Sequence, residues 1–299
     1  MDFFFRFFTI LFLFFLSSII NANTPQSNPG IAFVHGTKDH REDAYGGYWK
    51  VDFIQSIAQA LDKPQNHYVV HCDFSQYMWH EDAANCVTEQ LLQFIDENKI
   101  SSLTVYTHSD GGNIIRWILS NPTYDSRYLT LKNKIKQVIA IAPSSGGTVL
   151  ADEVLNGGIF ETSMAWLLGY LSDAVKQQRV GDMLIYNEEL LLGSNGRPSL
   201  SVPFKVIVGS EVVASPFNST SYCNGYILNS GLKIARLYLD KCADGYLNCT
   251  SQALAGDVWF YDTEKTENSS PLNHNQSRHS CFGLEKILIG VLDSQGAAQ

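Results

Sequence analysis

Residues 103–117 read LTVYTHSDGGNIIRW and hold the most informative pattern in the chain. The first residues, Leu103 to Tyr106, are β-branched or aromatic in a short run, which favours a β-strand. After the segment 107–112, apolar residues recur at helical spacing, namely Ile114, Ile115, Ile118 and Leu119. A strand that turns into a helix at a serine is typical of a nucleophile elbow, where the serine hydroxyl is exposed on a strained turn. Ser109 is therefore our candidate nucleophile.

Small residues beside the elbow serine allow the strand and the helix to approach each other. Gly111, two residues after Ser109, meets this requirement, whereas Thr107, two residues before it, replaces the usual glycine. Glycine-flanked serines are common in loops, so the five-residue motif is a weak signal by itself. The strand–turn–helix context is what favours a catalytic role.

Residues 1–22 are almost wholly apolar, and Ala22 offers a small residue at a cleavage point. This composition predicts a signal peptide. An uncleaved membrane anchor is the alternative, since the apolar run is near the lower limit for spanning a bilayer. We favour cleavage because polar residues follow directly, as at a mature N-terminus. Both readings predict export, and cleavage predicts a secreted protein, extracellular or periplasmic.

The remaining residues, 23–299, are enough for a single large α/β domain. Hydrophobic residues make up 45% of the chain and charged residues 17%, as in an ordinary globular enzyme. The formal net charge of −9 is spread along the chain without long runs. We therefore expect no nucleic-acid partner.

Six cysteines lie after the predicted signal peptide, and an even number in an exported chain predicts disulfides. Many pairings are possible, and we expect Cys72–Cys86, Cys242–Cys249 and Cys223–Cys281. The spacing contains no CxxC pair and no HExxH motif. Metal and cofactor sites are therefore not expected.

From Gly30 onwards, strand-like and helix-like segments alternate, which predicts an α/β fold with a mostly parallel sheet covered by helices. The predicted strands lie near residues 31–34, 68–70, 103–106, 138–142, 202–208 and 257–261, and the last helix contains Leu284, Ile287, Leu288 and Val291. Residues from about 150 to 200 instead show only helical patterns. We interpret them as a cap insertion that shapes a pocket for an apolar group, with an ordinary packing layer as the alternative.

A serine nucleophile needs a histidine base and a carboxylate that orients it, and in this fold they follow in the order Ser, Asp or Glu, His. His274 lies in a polar loop after the last predicted strand and is the preferred base. His279 is interpreted as a surface residue or a cap of the last helix, and it is the rival base. Asp244 is the preferred acid because a Cys242–Cys249 disulfide would fix its loop. Asp240 and Glu211 are the rival carboxylates, more simply interpreted as solvated loop charges. His35 and His108 are interpreted as structural neighbours.

Taken together, several short segments resemble exported lipases and esterases of the α/β-hydrolase fold over nearly all of residues 23–299. The matches, strongest against bacterial triacylglycerol lipases, are Val34-His35-Gly36-Thr37, His108-Ser109-Asp110-Gly111-Gly112, Ala142 to Thr148 running into Leu150-Ala151-Asp152, Ala243-Asp244-Gly245 and Leu272-Asn273-His274. The order and spacing of these segments are specific, although each one is short.

The resemblance implies an α/β-hydrolase fold with helices on both faces of the sheet and a helical cap insertion. It implies Ser109 as nucleophile, His274 as base and Asp244 as acid. The N–H groups of Thr37 and Asp110 would form the oxyanion hole. In the family's calcium site an aspartate stands two residues after the histidine, where this chain has Gln276, so calcium is not expected.

The expected activity is hydrolysis of carboxylic esters, of lipids or small molecules, with transient contact with lipid surfaces. A thioesterase, a polyester depolymerase or an acyltransferase would use the same three residues. A hydrolase fold kept as a non-catalytic binding protein is the alternative of another class, and the ordered Ser, Asp and His argue against it.

Overall fold

The computed structural model describes residues 27–157, 171–223, 225–262 and 271–293. A six-stranded parallel sheet forms the centre, in the order β3-β1-β5-β6-β7-β8. The strands are β1 (Pro29–Val34), β3 (His67–Val69), β5 (Ser102–His108), β6 (Ile135–Ile141), β7 (Phe204–Val208) and β8 (Asp257–Tyr261). Two further strands, β2 (Lys38–Asp39) and β4 (Asp73–Phe74), pair in an antiparallel ribbon.

Helices cover both faces of this sheet. They are α1 (Val51–Ala58), α2 (Cys86–Glu97), α3 (Gly111–Ser120), α4 (Ser126–Lys132), α5 (Val149–Leu155), α6 (Asp173–Gln177), α7 (Val180–Glu189), α8 (Tyr226–Ala235), α9 (Cys249–Gln252) and α10 (Leu284–Asp293). A π-helical turn at Glu81–Asn85 precedes α2, and 3₁₀ turns lie at Ser219–Tyr222, Arg236–Tyr238 and Ser280–Phe282. This arrangement confirms the predicted fold class.

Strand residues alternate between two hydrophobic cores because successive side chains of a strand point to opposite faces. In β1, Ala32 and Val34 join a core with residues of α2, α3 and α4. Ile31 and Phe33 join the other core, with residues of α1 and α10. Both faces are apolar, so the strands are nearly continuous hydrophobic runs, as parallel sheets require.

The strand order reverses between β1 and β5. From β1 the chain continues to β3 on one side and then crosses to β5 on the other side. Ligands bind at the carboxyl ends of strands at such a switch point. Val34 and Thr107 are paired in register at these two ends, so the segments that follow β1 and β5 emerge side by side.

The insertion predicted for residues 150–200 contains α5, α6 and α7 between β6 and β7. Its Leu150, Ala151, Val154 and Val175 form a third, smaller core with Tyr246 and Leu247. No strand occurs among the described residues 142–157 and 171–203. The role of this segment as a cap stays a prediction. Leu167 and Leu168, which contributed to the helical pattern, lie outside the described residues.

The segment between β7 and β8 is more regular than the sequence indicates. It contains α8, which buries Asn229, Leu232 and Ala235. Gly231 in its middle has low helix propensity, and this weakens the apolar pattern. Helix α4 also lacks a clear sequence signal, because only Tyr128 and Leu131 are buried.

All three predicted disulfides are present, Cys72–Cys86, Cys223–Cys281 and Cys242–Cys249. The paired cysteines are 14, 58 and 7 positions apart in the chain, respectively. Among the described residues, no helix has the length and apolar character needed to cross a membrane.

Replacing Phe33 by alanine should lower the free energy of unfolding by about 3–5 kcal/mol, because the cavity forms in the sheet core. The Phe33 ring is fully buried and packs against Tyr106 and Trp49, with ring centroids 5.2 and 5.3 Å away. Urea unfolding with the disulfides intact measures the change. Phe217→Ala is the matched control, since this ring is 97% exposed, and it should change stability by less than about 0.5 kcal/mol. Equal effects of both substitutions would contradict the described core.

Candidate active site

Ser109 lies on a sharp turn between β5 and α3, with a positive φ of 54°. This left-handed conformation is rare for residues other than glycine and marks strain at functional sites. The turn is possible because α3 begins very close to the strand. A Cβ on Gly111 would lie 2.2 Å from the carbonyl oxygen of His35, so only glycine fits there.

Thr107 takes the place of the usual elbow glycine without a clash. Its Oγ1 faces Gly112, where a Cβ would lie 3.5 Å away. Gly112 thus leaves room for the threonine side chain on the helix side. The Thr107 hydroxyl is buried and has no hydrogen-bond partner among the described residues.

The structure brings Ser109, His274 and Asp244 together. His274 Nε2 lies 3.0 Å from Ser109 Oγ, and His274 Nδ1 lies 2.8 Å from Asp244 Oδ2. All three side chains are buried, with exposed fractions of 4% or less. The two hydrogen bonds form a continuous chain from a hydroxyl to a carboxylate, the geometry by which a histidine can take up the serine proton.

The loop around Asp244 holds the carboxylate in place. Asp244 Oδ1 accepts hydrogen bonds from the N–H groups of Tyr246 and Leu247, at 2.9 and 2.7 Å. The Cys242–Cys249 disulfide and a bridge between Ala243 and Asn248 close the same loop. Oδ2 is thereby oriented towards His274.

His274 is held from both its backbone and its ring. Its N–H donates to the Asp244 carbonyl oxygen at 2.9 Å. The Tyr246 ring stacks on the imidazole with centroids 4.6 Å apart. His108 Nε2 donates to the His274 carbonyl oxygen at 2.7 Å, and the Tyr48 hydroxyl donates to His108 Nδ1 at 2.5 Å.

His108 is suited to this supporting role because it stays neutral. Burial lowers the pKa of His108 well below its usual value, and the nearby His274 and Arg278 lower it further. A neutral imidazole has one donor and one acceptor nitrogen. Both are used, one towards His274 and one towards Tyr48.

The N–H groups of Thr37 and Asp110 have no hydrogen-bond partner among the residues that the structure describes. Asp110 directly follows Ser109, and Thr37 lines the same cleft. Two glutamines at the end of α6 hold these residues. Gln178 Nε2 donates to Thr37 Oγ1 at 2.8 Å, and Gln177 Nε2 donates to Asp110 Oδ2 at 2.8 Å.

The Asp110 carboxyl is completely buried behind the elbow. Besides Gln177, it accepts hydrogen bonds from Asn113 Nδ2 at 3.0 Å and from the Ser144 hydroxyl at 3.3 Å. Burial raises the pKa of Asp110 from 3.8 to about 6, although these donors act in the opposite direction. The carboxyl group links the elbow, the segment after β6 and helix α6.

Ser109 and His274 face a cleft of about 170 Å³. Its lining combines charged, polar and apolar side chains, namely Thr37, Lys38, His40, Tyr48, Leu228, Tyr246, Asn275 and Arg278 in addition to the two. The cleft is therefore open to a substrate while the Asp244 side of His274 is closed to solvent.

The rival residues lie elsewhere. The His279 ring is buried, not at the surface as predicted, and its Nε2 has no hydrogen-bond partner in the described part of the chain. Burial lowers the pKa of His279 to about 3. Glu211 pairs with Lys233 and Arg236 in an exposed cluster, and Asp240 is exposed. His35 donates from Nδ1 to the Gly36 carbonyl oxygen at 2.8 Å, the structural role predicted for it.

Gln276 does not fit a calcium ligand at the position where the family has an aspartate. Its Oε1 accepts a hydrogen bond from Asn273 at 2.5 Å. Its Nε2 donates to the carbonyl oxygens of Thr220 and Cys223 at 3.1 and 2.6 Å. The amide therefore joins the histidine loop to the segment before α8, a role that a carboxylate without a donor could not fill.

Gly111→Ala should destabilise the fold by about 3 kcal/mol or more, because the new Cβ would overlap a backbone carbonyl that cannot move independently. Gly181→Ala is the control, since nothing lies within 4 Å of a Cβ there and the residue is inside α7. It should stabilise the protein by up to about 1 kcal/mol. Chemical denaturation measures both, and a Gly111→Ala protein as stable as the parent would contradict the close packing of the elbow.

Asp110→Asn should change the pH dependence of stability. The pKa of Asp110 is raised in the folded state, so its contribution to stability is fully present below about pH 4 and is lost as the pH rises through about 6. The variant should therefore gain on the order of 3 kcal/mol relative to the parent between about pH 4 and pH 7. Unfolding titrations across this range measure the gain. Asp257→Asn, at an exposed carboxyl, is the control for the loss of one negative charge. A difference between Asp110→Asn and the parent that does not change with pH would contradict the prediction.

Comparisons with known proteins give the fold independently. No family model matches the chain, and no curated protein sequence matches it. The structure is similar to the mature Bacillus licheniformis lipase BlEst2, with a TM-score of 0.57 and 15% identity over 90% of this chain and 92% of that one. It is similar to lipase 1 from Pelosinus fermentans, with a TM-score of 0.56 and 14% identity over 91% of this chain and 100% of that one.

A third similar structure is the metagenomic carboxyl esterase MGS0156, with a TM-score of 0.53 and 15% identity over 90% of this chain and 77% of that one. At such identities the likeness concerns the fold and does not transfer an activity. With the sheet topology described above, it shows that the chain has an α/β-hydrolase fold like that of bacterial lipases and esterases.

Proposed function

We propose that this protein is a serine hydrolase that cleaves carboxylic esters, with Ser109 as nucleophile, His274 as base and Asp244 as the orienting acid. The observation that carries the proposal is the chain of two hydrogen bonds from Ser109 Oγ through the His274 ring to Asp244, at 3.0 and 2.8 Å. It ends in a cleft at the switch point of the sheet. Three similar folds named lipase or carboxyl esterase support the same reaction class.

In the first half of the reaction, Ser109 Oγ attacks the ester carbonyl carbon while His274 Nε2 takes up its proton. The imidazolium that forms is stabilised by Asp244. The tetrahedral intermediate then collapses, the bond to the alcohol oxygen breaks, and His274 returns the proton to the leaving alcohol. The acyl group remains on Ser109.

The N–H groups of Thr37 and Asp110 would bind the negative oxygen of the tetrahedral intermediate. Neither N–H is used within the described part of the protein, and donors that are held rigid in advance stabilise developing charge strongly. The hydrogen bonds from Gln178 to Thr37 and from Gln177 to Asp110 keep the two segments in position.

In the second half, a water molecule replaces the alcohol. His274 accepts a proton from this water as it attacks the acyl carbon, and then returns the proton to Ser109 when the acid leaves. Throughout, the neutral His108 holds the His274 carbonyl oxygen. A second positive charge next to the imidazolium is thus avoided.

Apolar residues at the cleft support a lipid ester as the substrate. Leu228 of α8 lines the cleft. On the same helix and just after it, Ile227 and Leu237 are 85% and 81% exposed. An exposed apolar surface beside a catalytic cleft suits transient contact with a lipid surface.

Export of the mature protein is part of the proposal. The three disulfides described above are typical of proteins that fold in an oxidising compartment. The predicted signal peptide, residues 1–22, lies outside the described residues, so cleavage is tested by sequencing the N-terminus of the exported protein.

Ser109→Ala and His274→Ala should each lower kcat by on the order of 10⁶-fold, and Asp244→Asn by about 10⁴-fold. The measurement is hydrolysis of p-nitrophenyl esters of increasing acyl length by the purified protein. Activity should rise with chain length if the natural substrate is a lipid. Ser126→Ala, at an exposed position, and His80→Ala, whose side chain is 41% exposed, are the matched controls and should retain the parent activity.

Other outcomes identify the alternatives. Loss of activity in His279→Ala but not in His274→Ala would move the base to His279. Reaction of Ser109 with an active-site phosphonate without ester hydrolysis would favour a thioesterase, a polyester depolymerase or an acyltransferase. No reaction with either probe would contradict the proposal and favour a binding protein.

A further inference from the structure

Arg278 is a buried cation in the lining of the cleft. Arg278 follows His274 by four residues in the sequence. It lines the cleft and is only 8% exposed. The guanidinium lies over the Tyr48 ring, 4.0 Å from its centroid, and Nη1 donates to the Tyr48 carbonyl oxygen. Tyr48 in turn donates to His108. The cation is therefore fixed in position beside the proposed catalytic residues.

No carboxylate forms an ion pair with Arg278 in the described part of the chain. Its Nε is buried without a hydrogen-bond partner. The bond to the Tyr48 carbonyl oxygen is the only one that the guanidinium makes among the described residues. An arginine has five N–H donors and remains charged in proteins. Burying such a group without a counter-charge costs free energy, so a missing partner is indicated.

The charges around Arg278 are mostly positive. Lys38 also lines the cleft. Burial lowers the pKa of Lys38, of His40 and of Lys50, and the positive charge of Arg278 lowers each of these pKa values further. Burial lowers the pKa of Arg278, and Asp43 is the one carboxylate among the described residues that opposes this shift. Its carboxyl group is 59% exposed and already bonds to His40 Nδ1 at 2.7 Å, so it does not neutralise the cluster.

A purely structural role does not account for this arrangement. Support of Tyr48 needs only the contact with its ring and one hydrogen bond to its carbonyl oxygen. The positive charge of the guanidinium and its unpartnered Nε are not used by this role. A ligand that brings a negative charge would neutralise the charge and accept a hydrogen bond from Nε.

We propose that Arg278, assisted by Lys38, binds a carboxylate or phosphate group carried by the ester substrate. This rests on the proposed function and specifies it, because it makes the preferred substrates anionic esters. A guanidinium presents paired N–H donors that match the oxygens of either group. The cleft is small, about 170 Å³, so the negative group would lie within a few bonds of the ester cleaved by Ser109.

The first experiment compares matched neutral and anionic esters with the purified parent protein. One pair places the charge on the acid side, a p-nitrophenyl hemiester of a dicarboxylic acid against the p-nitrophenyl ester of a monocarboxylic acid of equal length. The other pair places it on the alcohol side, a monoacylglycerol phosphate against the monoacylglycerol. We expect kcat/KM to favour the anionic member of one pair by about tenfold or more, and the preference to shrink as salt is added.

Substitutions in the cleft test whether Arg278 and Lys38 cause the preference for anionic esters. Arg278→Gln should abolish the anionic-to-neutral ratio of kcat/KM, and Arg278→Lys should retain part of it. Lys38→Gln should reduce it. Lys63→Gln removes the same charge at an exposed position before β3 and should leave the ratio as in the parent, which excludes an effect of net charge alone.

A binding measurement keeps the test independent of catalysis. Inorganic phosphate, at constant ionic strength, should raise the melting temperature of Ser109→Ala protein and of the Lys63→Gln variant, but not that of Arg278→Gln. If Arg278→Gln does not fold, competitive inhibition of the parent by phosphate provides the same information. A phosphate-induced rise in melting temperature in a protein that hydrolyses no ester would support the anion site and contradict the proposed function.

Two results would contradict the proposal about Arg278. Hydrolysis of neutral and anionic esters at the same kcat/KM would overturn the proposal that Arg278 binds a charge on the substrate, whether or not phosphate binds. It would leave the proposed function standing. A preference that survives in Arg278→Gln would overturn the assignment to this residue.

Discussion

The close approach of the chain after β1 to the elbow after β5 is the constraint on which the rest of the site depends. The two strands are paired in register up to Val34 and Thr107, and Gly111 touches the His35 carbonyl oxygen so closely that no side chain fits. This contact places Thr37 beside Asp110. It also leaves Ser109 in a left-handed conformation, with its hydroxyl directed to the cleft. A parallel sheet that is apolar on both faces provides the rigidity that such a turn needs.

Around this contact, the supporting hydrogen bonds converge on single side chains from distant segments. Asp244 is held by its own loop, His274 by Asp244, Tyr246 and His108, and Asp110 by three donors. Ser109, His274, Asp244 and the Asp110 carboxyl group each have a defined hydrogen-bond partner. Arg278 differs from them because its buried charge has no carboxylate partner among the described residues. A buried charge without a counter-charge is the observation behind the proposed anion site.

Much of the fold was predictable because its strands and most of its helices carry strong local periodicity. The candidate catalytic residues were also predictable, because Ser109, Asp244 and His274 lie in short segments whose order and turn chemistry are informative. The Cys242–Cys249 pair marked the loop of Asp244 as one held in place by a disulfide. Gln177 and Gln178 could not be found in this way. They look like polar residues at a helix end, and their partners Asp110 and Thr37 lie 67 and 141 residues away. Helix α8 was missed because Gly231 interrupts its pattern, and His279 because nothing in its sequence context indicates burial.

Gln177 and Gln178 limit which substitutions and segment exchanges this protein can accept around α6. They belong to the insertion between β6 and β7, yet one bonds to each residue whose N–H is proposed to bind the oxyanion. The segment around α6 is thus not an independent module attached to a finished catalytic centre. Substitutions there would shift Thr37 and Asp110 and alter the proposed oxyanion hole. Exchanging this segment between hydrolases would therefore also exchange the side chains that hold the proposed oxyanion donors in place.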